Sequence, residues 1–264
     1  MKLAQKMALA AALAAAGVAA HAQTAAPAAP AAPEPAYTLA YNVGVVSDYR
    51  FRGIAQTSKK PAIQGGIDLT LKSGLYLGTF LSNVRWIKDF NGATKGSLEM
   101  DLYGGYKTEI VKDLTLDVGL ITYRYPGNNS GDAGTPGAGL FSKADTNEWY
   151  AAGTYGMFTL KYSHAMGNFL GNLNSSGSDY VDLSAAVDLG NGYSLTPHIG
   201  HQRVKNIDVA SYTDYSLTLA KDFGNGFSGT LAAIGSDAKK SFYTDYNGKF
   251  IGNNTVVIGA KYTF

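Results

Sequence analysis

The chain has 264 residues, with 22 Lys+Arg against 20 Asp+Glu, 32 glycines, 18 tyrosines and no cysteine. A chain so close to neutrality sets up no global field for nucleic acid. Without cysteine it has neither a disulfide framework nor a lipid-modified cysteine anchor.

Residues 1–22, MKLAQKMALAAALAAAGVAAHA, begin with Lys2 and Lys6, run apolar from Met7 to Ala20 and finish on Ala20-His21-Ala22. This is the order of a secretory signal peptide, and its apolar part is too short to span a bilayer. Its removal takes Lys2 and Lys6 away and leaves 20 basic against 20 acidic side chains. Residues 23–36, QTAAPAAPAAPEPA, read as a semi-extended Ala/Pro linker, because proline denies them both a helix and a strand ladder.

From residue 37 the chain alternates apolar and polar residues and shows no helical period. In 37–52, Tyr37, Leu39, Tyr41, Val43, Val45, Tyr49 and Phe51 share one face; Thr38, Asn42, Asp48, Arg50 and Arg52 share the other. A strand sends successive side chains to opposite faces, so one face is greasy and the other wet. Further strands are predicted at 62–72, 75–86, 97–108, 114–125, 146–155, 157–165, 179–189, 193–204, 212–222, 227–236 and 254–264. The segment 75–86 is apolar on both faces, and its orientation stays open. The links alternate in length. Lys72-Ser73-Gly74, Ile110 to Asp113, Gly156, Gly190-Asn191-Gly192 and Gly224-Asn225-Gly226 are tight, while 53–61, 87–96, 126–145, 166–178, 205–211 and 237–253 are long. Short turns at one end and long loops at the other, on an even number of strands, predict an all-β fold, a transmembrane up-and-down antiparallel β-barrel of about 12 strands.

The aromatics on the greasy face sort by strand end. Tyr41, Tyr106, Tyr155, Phe158, Tyr193, Phe227 and Tyr262 fall near the short turns; Tyr49, Phe51, Trp149, Tyr162 and Tyr215 fall near the long loops. Two such girdles suit the two boundaries between lipid and water. The closing strand, TVVIGAKYTF, places Val256, Ile258, Ala260, Tyr262 and Phe264 on one face. It is similar to the C-terminal signal strand of outer-membrane barrels, and Tyr262 and Phe264 are its expected insertion signal.

Several blocks, SDYRFRGIAQT at 47–57, PAIQGGIDL at 61–69, DLYGGY at 101–106, TYRYPG at 122–127 and AKDFGNGF at 220–227, resemble the porin-like family called TorF. The resemblance spans nearly all of 37–264, with Ala55 standing where serine is expected. It implies an outer-membrane barrel and a channel, and names no solute.

Chemistry belongs on the wet face. The expected pore-lining set is Asp48, Arg50, Arg52, Asp68, Glu99, Asp101, Asp117, Glu148, Lys161 and Asp182, joined at the same parity by Lys72, Lys107, Asp188 and Asp214. These charges line a hydrated pore that biases ion passage, or they fill a barrel by pairing with one another. Asp48, Arg50 and Arg52 lie about 7 Å apart at each two-residue step if the first strand runs to 52. Enzyme signatures are poor. His198 and His201 are three apart, and Ser163 and His164 are adjacent, so each pair faces opposite ways on a strand. No cofactor, metal or nucleic acid is expected. The expected partners are outer-membrane lipid, lipopolysaccharide, the barrel-insertion machinery and small solutes. A passive channel is the leading reading, beside a surface-binding barrel acting through its loop lysines and a lipid hydrolase for which only His164 faces the right way.

Overall fold

The computed structural model describes residues 35–264; the expected signal peptide and the linker up to residue 34 lie outside the described residues. The strands are β1 (Tyr37–Val46), β2 (Arg50–Phe51), β3 (Ile54–Ala55), β4 (Ala62–Leu71), β5 (Leu75–Asn83), β6 (Leu98–Val111), β7 (Leu114–Arg124), β8 (Thr146–Tyr155), β9 (Phe158–Ala165), β10 (Asp179–Ala185), β11 (Val187–Gly190), β12 (Tyr193–Arg203), β13 (Tyr212–Gly224), β14 (Phe227–Ser236) and β15 (Thr255–Thr263), with a turn of α-helix, α1 (Trp86–Asp89), and 3-10 turns at Phe169–Gly171 and Asp208–Ala210. β10 and β11 hold one register on β12 across Ala186 and act as a single stave. Apart from the small β2–β3 ribbon, the strands therefore form twelve antiparallel staves, each paired with its sequence neighbours. The ring closes where β1 pairs with β15, Asn42 opposite Thr263 and Val46 opposite Gly259. Closure leaves no unpaired edge, a condition that hydrocarbon imposes on any β-structure within it.

Alternation decides which way each stave faces. Leu77, Leu120, Leu217 and Ile258 point outward and are 60, 57, 48 and 62% exposed. A continuous apolar belt of this kind would drive aggregation in water and is at ease in lipid. The barrel spans the bacterial outer membrane, with its short turns periplasmic and its long loops extracellular. β5, ambiguous in sequence, turns Leu75, Leu77 and Leu81 to lipid and Tyr76, Phe80 and Ser82 inward. It ends at Asn83, three residues before its expected end, because Trp86 opens α1 within the mouth. The periplasmic turns rely on left-handed backbone, as at Gly224, Asn225 and Gly226 with φ of 83, 52 and 81°.

The periplasmic girdle stands as expected, with Tyr41, Tyr106, Tyr155, Phe158, Tyr193, Phe227 and Tyr262 all exposed. At the other rim Trp149, Tyr162 and His164 stack together on the outer face. Tyr49 and Phe51 are corrections. They belong to no girdle, because the first strand stops at Val46 rather than at 52 and the chain then turns inward. Tyr49 is buried, and Phe51 packs beneath the loops.

Candidate functional site: the loop-filled mouth

After Ser47, whose N–H donates to Ile258 O, the chain leaves the wall. Arg50-Phe51 and Ile54-Ala55 pair as a two-residue ribbon. Its turn is Arg52-Gly53, with φ of 47 and 78°, the left-handed pair that the tightest hairpins need. A Cβ on Gly53 would lie 2.7 Å from Asp214 Cβ, so only glycine fits. Asp48, Arg50 and Arg52 are thus not successive wall residues at 7 Å spacing. The ribbon carries them over the lumen.

Arg50 anchors that ribbon. Its Nε meets Asp48 Oδ2 at 2.7 Å, and its remaining N–H groups donate to the carbonyls of Gly53, Ile251 and Asn253. Arg52 crosses to the far wall. Counting the twelve staves from β1, the sixth, β8, carries Glu148 and the ninth, β12, carries Gln202. The Arg52 guanidinium grips both Glu148 oxygens, at 3.0 and 2.7 Å, and donates to Gln202 Oε1 at 2.7 Å. It also lies 4.3 Å over the Tyr180 ring. Burial is the largest single influence and works against its charge, yet Glu148, Tyr123 and Tyr180 together raise its pKa above the ordinary value.

Three apolar clusters of loop and rim residues meet above this latch, and Phe51, Phe90, Leu170 and Phe242 each pack against more than one of them. The cavity left between them measures about 40 Å³. The extracellular half of the barrel is therefore packed. In the periplasmic half, Asn42, Lys107, Thr115, Lys161, Thr196 and Lys261 face inward and are only half-buried, so water reaches them from below.

The other expected lining residues all point inward. Asp68 accepts a hydrogen bond from Tyr103. Asp117 accepts one from Tyr76 at 2.6 Å. Lys161 holds its ammonium 4.1 Å over the Tyr150 ring. Asp182 meets His198 Nε2 at 2.6 Å. Glu99 accepts from Tyr49 at 2.7 Å, a phenol that burial pushes well above its ordinary pKa and keeps neutral. Glu99 Oε2 and Asp101 Oδ1 are buried without a protein hydrogen-bond partner among the described residues. Of the peripheral charges at the same parity, Asp188 is exposed beside the periplasmic turn.

Two features of the lumen went unread in the sequence. The first is a set of Tyr–Gly contacts. Tyr76 lies over Gly105, Tyr103 over Gly78, Tyr150 over Gly119 and Tyr180 over Gly200, each so close that a Cβ would meet the ring or hydroxyl at 2.0–2.5 Å. The glycines let the rings lie flat on the wall, so that four large side chains do not fill the lumen. The second is His198, between Asp182 and Asp214, with Tyr180 donating to Asp214 at 3.0 Å. His201 faces outward, where it meets Thr213. Ser163 faces in and His164 out, so no nucleophile–base pair forms between them.

Residues 30–264 match a family described as "Bacterial protein of unknown function (Gcw_chp)". The chain belongs to this family. The family's description does not carry the name that the sequence blocks suggested, and it names no activity. A search of curated proteins finds no match. Among solved structures, the barrel is similar to a KdgM porin in complex with disordered oligogalacturonate, at 7% identity and a TM-score of 0.53, covering 86% of this chain and 98% of that one. It is also similar to the NanC porin, at 8% identity and a TM-score of 0.50, covering 86% of this chain and 99% of that one. At such identities the likeness is one of fold.

Proposed function

We propose that this barrel is a porin-like channel for the passive diffusion of small polar or charged solutes, with the Arg52 ribbon and the loop plug as its constriction. The observation that carries this reading is the inner wall, polar and water-accessible from the periplasm up to a single charged latch. The TorF resemblance points to the same activity, and the KdgM porin, whose oligogalacturonate is a polar saccharide, offers a fold of the same kind. The test is planar-bilayer conductance of the purified protein in simple salts, with liposome swelling for small sugars.

A specific observation also favours a second reading. Phe51, Phe90, Leu170 and Phe242 seal the mouth with apolar contacts, and apolar constrictions can stop water and ions. In that reading the barrel does not conduct and acts through its loops. Absence of both conductance and swelling, with the protein demonstrably folded, selects it.

If the pore conducts, we expect a weak preference for cations. Asp68, Glu99, Asp101, Asp117, Glu148, Asp182 and Asp214 face the lumen against Arg52, Lys107, Lys161 and Lys261. A ring of carboxylates lowers the energy of a passing cation. The preference should fade as the Debye length falls from about 10 Å at 0.1 M salt to about 3 Å at 1 M. Reversal potentials across a salt gradient measure it, and a stable anion preference at low salt would refute it. Arg50 is spent on Asp48 and three carbonyls, so the sign of the constriction rests on Arg52.

We further propose Tyr262 and Phe264 as the insertion signal. Phe264 exchanges backbone hydrogen bonds with Tyr41 at 2.9 Å, and its ring stacks on Tyr41 and Tyr262 at 5.8 and 5.7 Å. Phe264→Asp removes ring contacts worth about 0.5–1.5 kcal/mol each and puts a charge at the lipid-side seam. The heat-modifiable, folded fraction in the outer membrane should fall, while conductance per inserted molecule stays as before. Unchanged folded levels would remove the assignment.

A further inference from the structure

A groove of about 560 Å³ opens on the outer flank of the barrel where the loop after β7 leaves the wall. Its floor is Met100, which lies between Leu98 and Leu102 on the lipid-facing side of β6. Arg124, opposite Met100 in the β6–β7 register, points outward at the same height. The groove therefore stands at the rim of the apolar belt, level with the head groups of the outer leaflet, and outside the conduction path.

Its walls are built rather than incidental. Pro126-Gly127 forms a turn closed by Asn128 N–H to Tyr125 O at 2.9 Å, with Gly127 at φ 74°. The Asn129 amide oxygen takes the N–H groups of Thr94 and Lys95 at 3.0 and 3.1 Å, and so ties the loop after β5 to the loop after β7. Arg124 is partly neutralised by Asp145 at 3.6 Å. Lys95 and Lys143 are exposed on the groove and have no ion-pair partner among the described residues. Two unpaired ammonium groups facing one volume attract an anion with several oxygens. Asp132, exposed at the lip, offers a carboxylate to hydroxyl donors of the same ligand and disfavours a bare anion. The volume lies in the range of small-molecule sites, about 300–1,000 Å³.

We propose that this groove binds the phosphorylated sugar head group of an outer-leaflet glycolipid, with Lys95 and Lys143 on the phosphate and Met100 against the start of the acyl region. The position on the lipid side of the wall selects a membrane-borne ligand over a free sugar phosphate, and the site works whether or not the lumen conducts.

The test is native mass spectrometry of the full-length protein, folded in detergent, titrated with lipid A in its diphosphorylated form and after enzymatic dephosphorylation. The wild type should retain one diphosphorylated molecule. Lys95→Gln/Lys143→Gln should weaken that binding by about tenfold or more, the loss expected when charged donors to a phosphate are neutralised. The control Lys239→Gln/Lys240→Gln, in the exposed loop before β15, should bind as the wild type does, and heat-modifiable gel migration confirms that each variant is folded. The dephosphorylated lipid should bind the wild type no better than the diphosphorylated lipid binds the Lys95/Lys143 variant. Equal retention by wild type and the Lys95/Lys143 variant, or by the two lipid forms, overturns the site. Displacement of the lipid by an equal concentration of glucosamine 6-phosphate overturns the membrane source.

Discussion

Arg52→Gln is expected to lower the unfolding free energy of the barrel by about 3–5 kcal/mol, the usual cost of removing one partner of a buried ion pair. The Arg52 and Glu148 side chains are only 8 and 1% exposed, so solvent does little to soften the loss. The change also strips Gln202 Oε1 of its 2.7 Å donor. Most of the cost comes from leaving Glu148 charged and unpaired, with only Tyr123 still donating to it at 3.1 Å. Arg52→Gln/Glu148→Gln should therefore recover much of the stability, because two neutral amides of similar shape replace the pair. The latch stays unmade in both variants. If Arg52 holds the ribbon across the lumen, both should show larger or noisier single-channel conductance than the wild type, although their stabilities differ. Denaturant titration in detergent measures the first effect and single-channel recording the second. Conductance that tracks stability rather than the latch would show that Arg52 is only a structural pair.

The barrel was legible because lipid on one side and water on the other force a strict period of two, as along Leu114, Leu116, Val118 and Leu120 against Thr115, Asp117 and Gly119. The strand count followed from glycine-rich turns that have few alternatives. What misled the reading was the continuation of that same period past Val46. Tyr49 and Phe51 keep the parity of Val45, so periodicity alone carries the strand to Arg52. The signal that could have stopped it is Arg52-Gly53 between Phe51 and Ile54, a two-residue turn candidate flanked by apolar residues. The partners of Arg52 are 96 and 150 residues away, and no local pattern encodes such a meeting. The Tyr–Gly contacts were half visible, since Tyr76, Tyr103, Tyr150 and Tyr180 share the parity of glycines on neighbouring staves. Recognising them requires the register, which strand boundaries uncertain by one residue destroy. His198 was weighed only as a partner of His201. Its true neighbours, Asp182 and Asp214, come from the two staves beside its own.

Val118→Arg or Leu217→Arg, at the middle of β7 and β13, should each cost about 2–4 kcal/mol in lipid vesicles, the penalty for a guanidinium at the bilayer midplane of a barrel wall. Both side chains point outward, 40 and 48% exposed. Thr218, next to Leu217, faces the lumen and is half-buried. Thr218→Arg gives the new charge water to reach and should cost about 1 kcal/mol or less, as substitutions at hydrated positions usually do. Depth supplies a second contrast. Ile63 also points outward, 68% exposed, but it stands at the start of β4 near the extracellular rim. There a long side chain can lift its charge into the head-group region, and Ile63→Arg should cost only about 0–1 kcal/mol. Lipid is the one solvent that predicts both contrasts together. A water-exposed belt would tolerate arginine equally at Val118 and Ile63, and a one-residue error in register would exchange the costs at Leu217 and Thr218. Reversible unfolding of the four variants in vesicles, compared at one denaturant midpoint scale, separates these outcomes.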